Sequence, residues 1–224
     1  MSILTPDKHA LVSDAVGQAE LTTSGEIVPV MANASDSYAD IVLAYAIAIA
    51  FTAMSVFALF PQFFFGLWDA MAGGWNHDWT MGQATSFLLG FGLLKFAGSW
   101  LILQYQPLKF LLIPGPVKRA RVRNAAINHF KVGAERRTHG HTGVLLYLSM
   151  REHRAEIVAD GAIAEIVPAE VWGEAMADML VEIRQGCVAE GIAAGVRDVG
   201  KVLSEHFPRA EDDQNELPDR LIEL

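Results

Sequence analysis

The chain has 224 residues, of which 52% are hydrophobic and 19% are charged, and its formal net charge is −9. An acidic balance of this size argues against a nucleic-acid-binding protein, which needs a basic surface, so we expect no nucleic-acid partner. The only cysteine, Cys187, cannot form an intramolecular disulfide, which agrees with a reducing compartment.

A helix and a strand are predicted at the start of the chain. Apolar residues at helical spacing follow a first-turn proline and predict a helix over residues 6–21. A Ser-Gly pair breaks this helix, and the apolar run after it predicts a strand over residues 26–32. Pro29 in this strand favours a sheet edge or a bulge, because proline has no backbone N–H.

Two long apolar stretches come next, and they predict a transmembrane hairpin. Residues 41–60 carry no charge, and residues 83–105 carry one, on Lys95. Each stretch has about the 20 residues that a helix needs to cross the hydrocarbon core. The alternative for either stretch is a buried core helix, but helices of globular proteins rarely stay apolar on all sides over this length.

Charged residues on the two sides of the hairpin predict its orientation. The connection at 69–80 contains two Asp and no Lys or Arg. The basic residues that follow the second stretch are Lys109, Lys118, Arg119, Arg121, Arg123, Lys131, Arg136 and Arg137. Positive charge favours the cytoplasmic side, so we expect an inner (plasma) membrane protein with both termini and the soluble domain in the cytoplasm. The basic cluster at Lys118–Arg123 would face anionic lipid.

The remaining sequence predicts helices and strands in alternation. A basic helix over residues 117–137 precedes two antiparallel strands at 142–150 and 154–159. Two amphipathic helices follow, one beginning at Pro168 and the other ending before Pro208. Residues 209–224 are acidic, and we expect either a solvated tail or a short partner-binding motif there.

These elements predict one α/β domain that is split by the hairpin. Its N-terminal part is residues 1–40 and its C-terminal part is residues 106–208, with the hairpin at 41–105 and the acidic tail at 209–224. We expect a small mixed sheet with helices on both faces.

Several motifs together resemble the TPM domain, which thylakoid lumen phosphatase-like and photosystem II repair proteins share. They are AELTTSGEIVPVM followed by Ser35 and Tyr38, THGHTGVLLYLS, EIVADGAIAEIVP and IRQGCVAEGIAAGVRDVGKVLSEHFP. The pattern is most similar to a bacterial branch in which a membrane hairpin splits the domain. The resemblance implies an α/β sandwich and, as in some plant members, calcium binding and acid phosphatase activity.

A candidate metal site follows from the expected sheet topology. If the first two strands are parallel and the third returns antiparallel, Glu26, His141, Thr142 and Asp160 lie at one edge of the sheet. Carboxylate and hydroxyl oxygens there, with a histidine, would suit Ca²⁺ or Mg²⁺. Alternatively, the two carboxylates only terminate strands and pair with Arg137 or solvent.

Three functional classes remain open. The favoured one is a non-catalytic, membrane-tethered accessory module that binds a protein partner or a cation, in assembly or quality control of membrane complexes. The alternative enzyme is a divalent-cation-dependent acid phosphatase built on Glu26 and Asp160. The third is a small channel lined by Lys95, which would need an oligomer. Otherwise Lys95 contacts a partner helix in a homo-oligomer or extends to the membrane surface.

Overall fold

The computed structural model describes residues 4–72, 78–133, 142–210 and 216–224. The chain divides into two compact units. We call residues 1–36 with 115–224 the sheet unit, and residues 37–114 the helical unit.

The described residues form helices and strands in the following order. These are α1 (Pro6–Glu20), β1 (Glu26–Ala32), α2 (Ala39–Leu59), α3 (Pro61–Ala72), α4 (Met81–Leu103), α5 (Gln106–Leu112), α6 (Gly115–Gly133), β2 (Gly143–Ser149), β3 (Arg154–Ala159), α7 (Gly161–Ile166), α8 (Ala169–Arg184), α9 (Val188–His206) and β4 (Ile222–Glu223). The α/β fold class expected from the sequence is therefore confirmed.

The sheet has the strand order β3-β2-β1-β4. Strand β1 runs parallel to β2, with Glu26 opposite Gly143 and Ala32 opposite Ser149. Strand β3 returns antiparallel to β2, as the sequence predicted. The amino ends of β1 and β2 and the carboxyl end of β3 therefore lie at the same end of the sheet.

Both faces of the central strands are buried. All seven residues of β1 and all seven of β2 are buried. One face, with Ile27 and Met31, belongs to a core shared with α1, α8 and α9. The other face, with Val28 and Val30, packs against the apolar stripe of α6. A strand buried on both sides needs a continuous apolar run, which is why alternation is absent from these two segments.

Helices α8 and α9 pack closely at Gly191. A β-carbon on Gly191 would lie 2.8 Å from the Met179 carbonyl oxygen, closer than such contacts allow. Glycine at this position therefore lets the backbones of the two helices approach each other over the sheet.

The backbone of Pro29 faces the β4 side of β1, at a position that β4 does not cover. The Met31 carbonyl accepts from the Leu224 N–H, so the odd-numbered residues of β1 direct their backbone groups towards β4. Strand β4 pairs with β1 only from Val30 onwards. A proline one residue before that pairing begins costs no ladder hydrogen bond, although β1 is not an edge strand.

The acidic C-terminus is not a solvated tail over residues 216–224, so that expectation is wrong for this segment. Leu217 and Leu221 are buried, and β4 adds to the sheet beside β1. The Glu223 carboxylate accepts hydrogen bonds from the Leu4 N–H and from His9 Nε2. A few apolar side chains and one short strand are enough to dock the segment, because β1 offers backbone groups that would otherwise lack partners.

The helical unit is built on the packing of α2 against α4. Ala46 and Ala50 of α2 are buried, and Gly92 of α4 meets the side chain of Met54. Small residues at these positions let the two helices approach closely.

Two helices of this unit were not predicted. The chain bends at Phe60, and α3 occupies residues 61–72, for which the sequence predicted neither helix nor strand. Helix α5 lies directly after α4. Helix α3 has 12 residues and α5 has seven, so both are too short to show the extended periodic pattern on which a helix prediction depends.

The first prediction concerns the split of the sheet unit. A chain in which a short flexible linker replaces residues 37–114 should fold, because the Asp36 carboxylate lies 3.1 Å from Arg121 on α6 and both ends of the deletion belong to one unit. Thermal denaturation of this chain should show one cooperative transition. Residues 115–224 alone should show none, because they lack the central strand β1. A cooperative transition of that fragment would contradict the split-domain arrangement.

Candidate functional site

Glu26, Thr142 and Asp160 lie together at one end of the sheet, as predicted, and all three are buried. Asp160 follows β3 directly, and its N–H donates to the Gly143 carbonyl. Thr142 precedes β2 and donates its hydroxyl to the Ser24 carbonyl. Glu26 and Asp160 lie on either side of β2, so two strand spacings separate their backbones by about 10 Å. His141 lies outside the described residues.

The two carboxylates are hydrogen-bonded to backbone N–H groups. Asp160 Oδ2 accepts from the Gly143 N–H at 3.2 Å. Glu26 accepts from the N–H groups of Glu216 and Leu217, both at 3.2 Å. Asp160 therefore closes the β2–β3 end of the sheet, and Glu26 holds the C-terminal segment in place. Among the described residues, no group of three or more His, Cys, Asp and Glu side chains could hold a metal ion.

Glu20 is a third acidic side chain near this end of the sheet, and the sequence analysis did not select it. Its Oε1 accepts from the Ile27 N–H at 2.8 Å, on the β4 side of β1 but ahead of the residues that β4 covers. Burial raises the pKa of Glu20 to about 8, and the negative charges of Glu26 and Asp219 act in the same direction. A proton on Glu20 thus relieves repulsion among carboxylates at neutral pH.

The second prediction follows from the pKa of Glu20. Its pKa is higher in the folded chain than the ordinary value of 4.5, so the stability it contributes is complete below pH 4.5 and is lost as the pH rises to about 8. Glu20→Gln keeps an acceptor for the Ile27 N–H and carries no charge. The melting temperatures of the wild type and Glu20→Gln are measured in detergent micelles. We expect them to be similar near pH 5, and we expect Glu20→Gln to have the higher melting temperature above pH 8.

The control for this measurement is Glu165→Gln, an exposed position on α7. Its melting curve should follow that of the wild type at every pH. Parallel pH dependence of Glu20→Gln and the wild type would contradict the raised pKa.

A buried polar network lies at the opposite end of the sheet, where β1 and β2 end. Ser149 is fully buried and donates its hydroxyl to Glu152 Oε2 at 2.5 Å. Ser35 Oγ donates to Ser149 Oγ at 2.8 Å and lies 3.1 Å from Tyr147 Oη. The Ser35 N–H donates to Glu152 Oε1 at 2.9 Å. The carboxylate of Glu152 therefore receives one donor on each oxygen.

The direction of these bonds follows from the number of protons. Each serine hydroxyl has one proton to donate, so Ser149, which donates to Glu152, accepts from Ser35. Ser35 has then used its own proton, so Tyr147 must donate to Ser35. Burial raises the pKa of Tyr147, which keeps this hydroxyl protonated. The network is a relay of three hydroxyl groups that ends on one carboxylate, and it fixes the segment by which the chain leaves β1.

Comparison with known proteins identifies part of this chain. Residues 118–202 match the family model of the TPM domain. Over these residues the chain is similar to the TPM domain. The matched residues include β2, β3 and the Tyr147, Ser149 and Glu152 of the polar network. Glu20, Glu26 and Ser35 precede the matched region.

A solved structure supports the same fold. The BA42 protein from the psychrophilic bacterium Bizionia argentinensis is 16% identical, with a TM-score of 0.57, and the alignment covers 100% of this chain and 97% of BA42. At this identity the similarity shows the fold alone. No curated protein matches the chain.

Basic residues of α6 make ion pairs within the sheet unit. Arg121 lies 3.1 Å from Asp36, and Arg123 lies 3.8 Å from Glu156. Burial raises the pKa of Glu156, whereas Arg123 and two neighbouring arginines oppose that rise. Arg121 and Arg123 therefore stabilise the sheet unit itself, whereas Arg119 on the same helix is exposed.

Lys95 lies on the surface of α4. Its Nζ is 5.2 Å from the centre of the Phe91 ring, a cation–π contact that partly compensates an ammonium group in apolar surroundings. Lys95 also lines an apolar groove of about 560 Å³ together with Ile49 and Leu112. These contacts lie within the helical unit.

Sequence reasoning missed the polar network for a specific reason. Ser149 and Glu152 are ordinary residues at a strand end and in a turn, and neither forms a motif with the other. Ser35 was part of the family pattern, but nothing linked it to residues more than 100 positions later. The available signal was the parallel pairing itself, because it places the carboxyl ends of β1 and β2 side by side.

Proposed function

We propose that this protein is a membrane-tethered accessory module. In this proposal α2 and α4 cross the inner membrane as a hairpin, and the TPM domain and both termini lie in the cytoplasm. The domain binds a protein partner and takes part in the assembly or quality control of membrane complexes.

The surfaces of α2 and α4 carry this proposal. Both helices are long and apolar enough to cross a membrane, with a mean hydropathy of 2.3 for α2 and 1.7 for α4. Only 22% and 11% of the residues in their most apolar stretches are buried. Large side chains such as Leu43, Phe51 and Leu93 are exposed. A core helix of a soluble domain would bury such residues, so lipid is the environment that suits these surfaces.

Charge distribution supports the orientation. No Lys or Arg occurs in the connection at 69–80, whereas eight occur between Lys109 and Arg137. Basic residues close to the end of a membrane helix favour the cytoplasmic side.

The roles of the acidic residues favour binding over catalysis. Glu26 and Asp160 would be the metal ligands of a phosphatase, but their oxygens accept hydrogen bonds that close the sheet and hold its C-terminal segment. Displacing those N–H groups for a cation would cost about 1–3 kcal/mol for each buried donor left unpaired. The structural role of these carboxylates thus makes the phosphatase the weaker alternative.

Strand β3 is the surface that suits a protein partner. It is an outer strand of the sheet, and all six of its residues are partly buried. The Asp160 N–H points to β2, so the alternate residues Ala155, Ile157 and Ala159 direct their backbone groups away from β2. An extended segment of a partner could add to this edge as a further strand.

The third prediction tests the membrane orientation. A cysteine at Asn76, in a Cys187→Ser background, should react with a membrane-impermeant maleimide added to intact cells, because residue 76 lies between the two proposed spans. A cysteine at Asn128, which is exposed on α6, should react only after lysis. Reaction of both cysteines only after lysis, or of both in intact cells, would disprove the orientation.

The fourth prediction tests strand addition at β3. Ala155→Pro removes an outward N–H while keeping the bonds to β2, so it should weaken binding of the protein that co-purifies from native membranes roughly ten-fold. Ala155→Val keeps the N–H and should bind like the wild type. Both variants should keep the wild-type melting temperature within a few degrees. Equal recovery of the partner with both variants would show that it binds elsewhere.

A further inference from the structure

Helix α3 has an exposed apolar stripe on the side that faces away from the rest of the helical unit. Phe63, Leu67 and Met71 are four residues apart, so they lie on one face of the helix. Their exposed fractions are 67%, 51% and 78%. Each of these large apolar side chains is therefore more than half exposed, and together they form a continuous stripe.

The opposite face of α3 is fixed by aromatic contacts. Phe64 stacks on Phe57 of α2 with ring centres 5.0 Å apart. Phe65 stacks on Trp79 at 4.4 Å. Trp68 contacts Phe87 of α4 edge-to-face at 5.1 Å. Because these contacts hold α3 against both long helices, the stripe cannot turn inwards to bury itself.

These contacts also fix the level of α3 along the hairpin axis. Helix α2 has 21 residues and ends at Leu59. At a rise of 1.5 Å per residue it is about 31 Å long, which already matches the hydrocarbon core. Helix α3 follows a bend at Phe60 and packs beside the start of α4, where Thr80 and Gln83 form a capping box. A polar helix start of this kind belongs at the level of the lipid headgroups.

We propose that α3 lies in the plane of the membrane interface, with the stripe Phe63–Leu67–Met71 inserted into the acyl-chain boundary of the leaflet at the α2–α4 turn. The occupant of this surface is phospholipid. This inference rests on the proposed membrane hairpin and adds a third membrane-embedded element to it.

The chemistry of the surrounding residues agrees with such a position. Tryptophan side chains favour the interface, where the ring is buried and the indole N–H finds a polar partner. Trp79 Nε1 donates to Asp69 Oδ2 at 3.4 Å, and Trp68 is about half exposed. An interfacial helix buries its apolar face while its polar groups stay near water, as Asp69 and the connection after it would do here.

The fifth prediction measures the depth of α3 directly. Nitroxide labels are placed on single cysteines at 63, 67 and 71 in the full chain carrying Cys187→Ser, reconstituted into phosphatidylethanolamine–phosphatidylglycerol vesicles. Oxygen, which concentrates in lipid, and a water-soluble nickel chelate are the relaxing agents. We expect all three labels to be oxygen-accessible at one shallow depth. A helix that continued along α2 would instead separate labels 63 and 71 by about 12 Å in depth.

Two reference labels separate this inference from the proposed function. A label at Leu93, which is 69% exposed on α4, should report a deep lipid position, and one at Lys131 on α6 should report water. If Leu93 is in lipid while the labels on α3 are in water, the interfacial position is wrong and the hairpin stands. If the labels on α3 are shielded from both agents, a protein surface covers the stripe and the inference is wrong. If Leu93 is also in water, the membrane hairpin itself is wrong.

Discussion

The parallel pairing of β1 with β2 is the contact on which the sheet unit depends. Seven residues of each strand are in register, yet about 110 residues of chain, including the whole helical unit, separate them. Burial of both strands on both faces supplies the free energy that brings these distant segments together. Both cores of the domain are built on these two strands. A helical unit of 78 residues can therefore interrupt the sequence without interrupting the fold.

On the side of β1 that faces β4, the neighbouring strand is too short to pair with all the backbone groups of β1. Strand β4 covers only two residue pairs. Before that point the Glu20 carboxyl group accepts from the Ile27 N–H, and Pro29 has no N–H to satisfy. The Glu20 side chain and the short strand β4 thus pair with the backbone on this side of β1, and Pro29 removes one N–H that would otherwise need a partner. This arrangement explains why a carboxyl group with a raised pKa lies next to the core, and why the acidic C-terminal segment is ordered against the sheet.

Polar side chains at the two ends of the sheet have different consequences. At the amino ends of β1 and β2, Glu26 and Asp160 each bind backbone N–H groups and hold segments together. At the carboxyl ends, Tyr147, Ser35 and Ser149 pass hydrogen bonds to Glu152 and fix the segment that leads out of the domain. Both sets stabilise the sheet unit. Our proposals assign protein binding to the outer surface of β3 and lipid contact to the apolar surfaces of α2, α3 and α4.

From the sequence alone, β1, β2, β3 and the antiparallel pairing of β2 with β3 were predictable, because long apolar runs and a tight turn leave few alternatives. The parallel pairing of β1 with β2 was only an assumption until the tertiary structure showed it, because about 110 residues separate the two strands. The sequence also determined the apolar helices α2 and α4, since composition over 20 residues is a strong signal. It could not determine β4, whose two residues pair only because β1 offers an open side. Nor could it determine α3, which is only 12 residues long, or the network of Ser35, Ser149 and Glu152. Those residues meet only when β1 and β2 pair, and a contact across more than 100 residues exists in the tertiary structure alone.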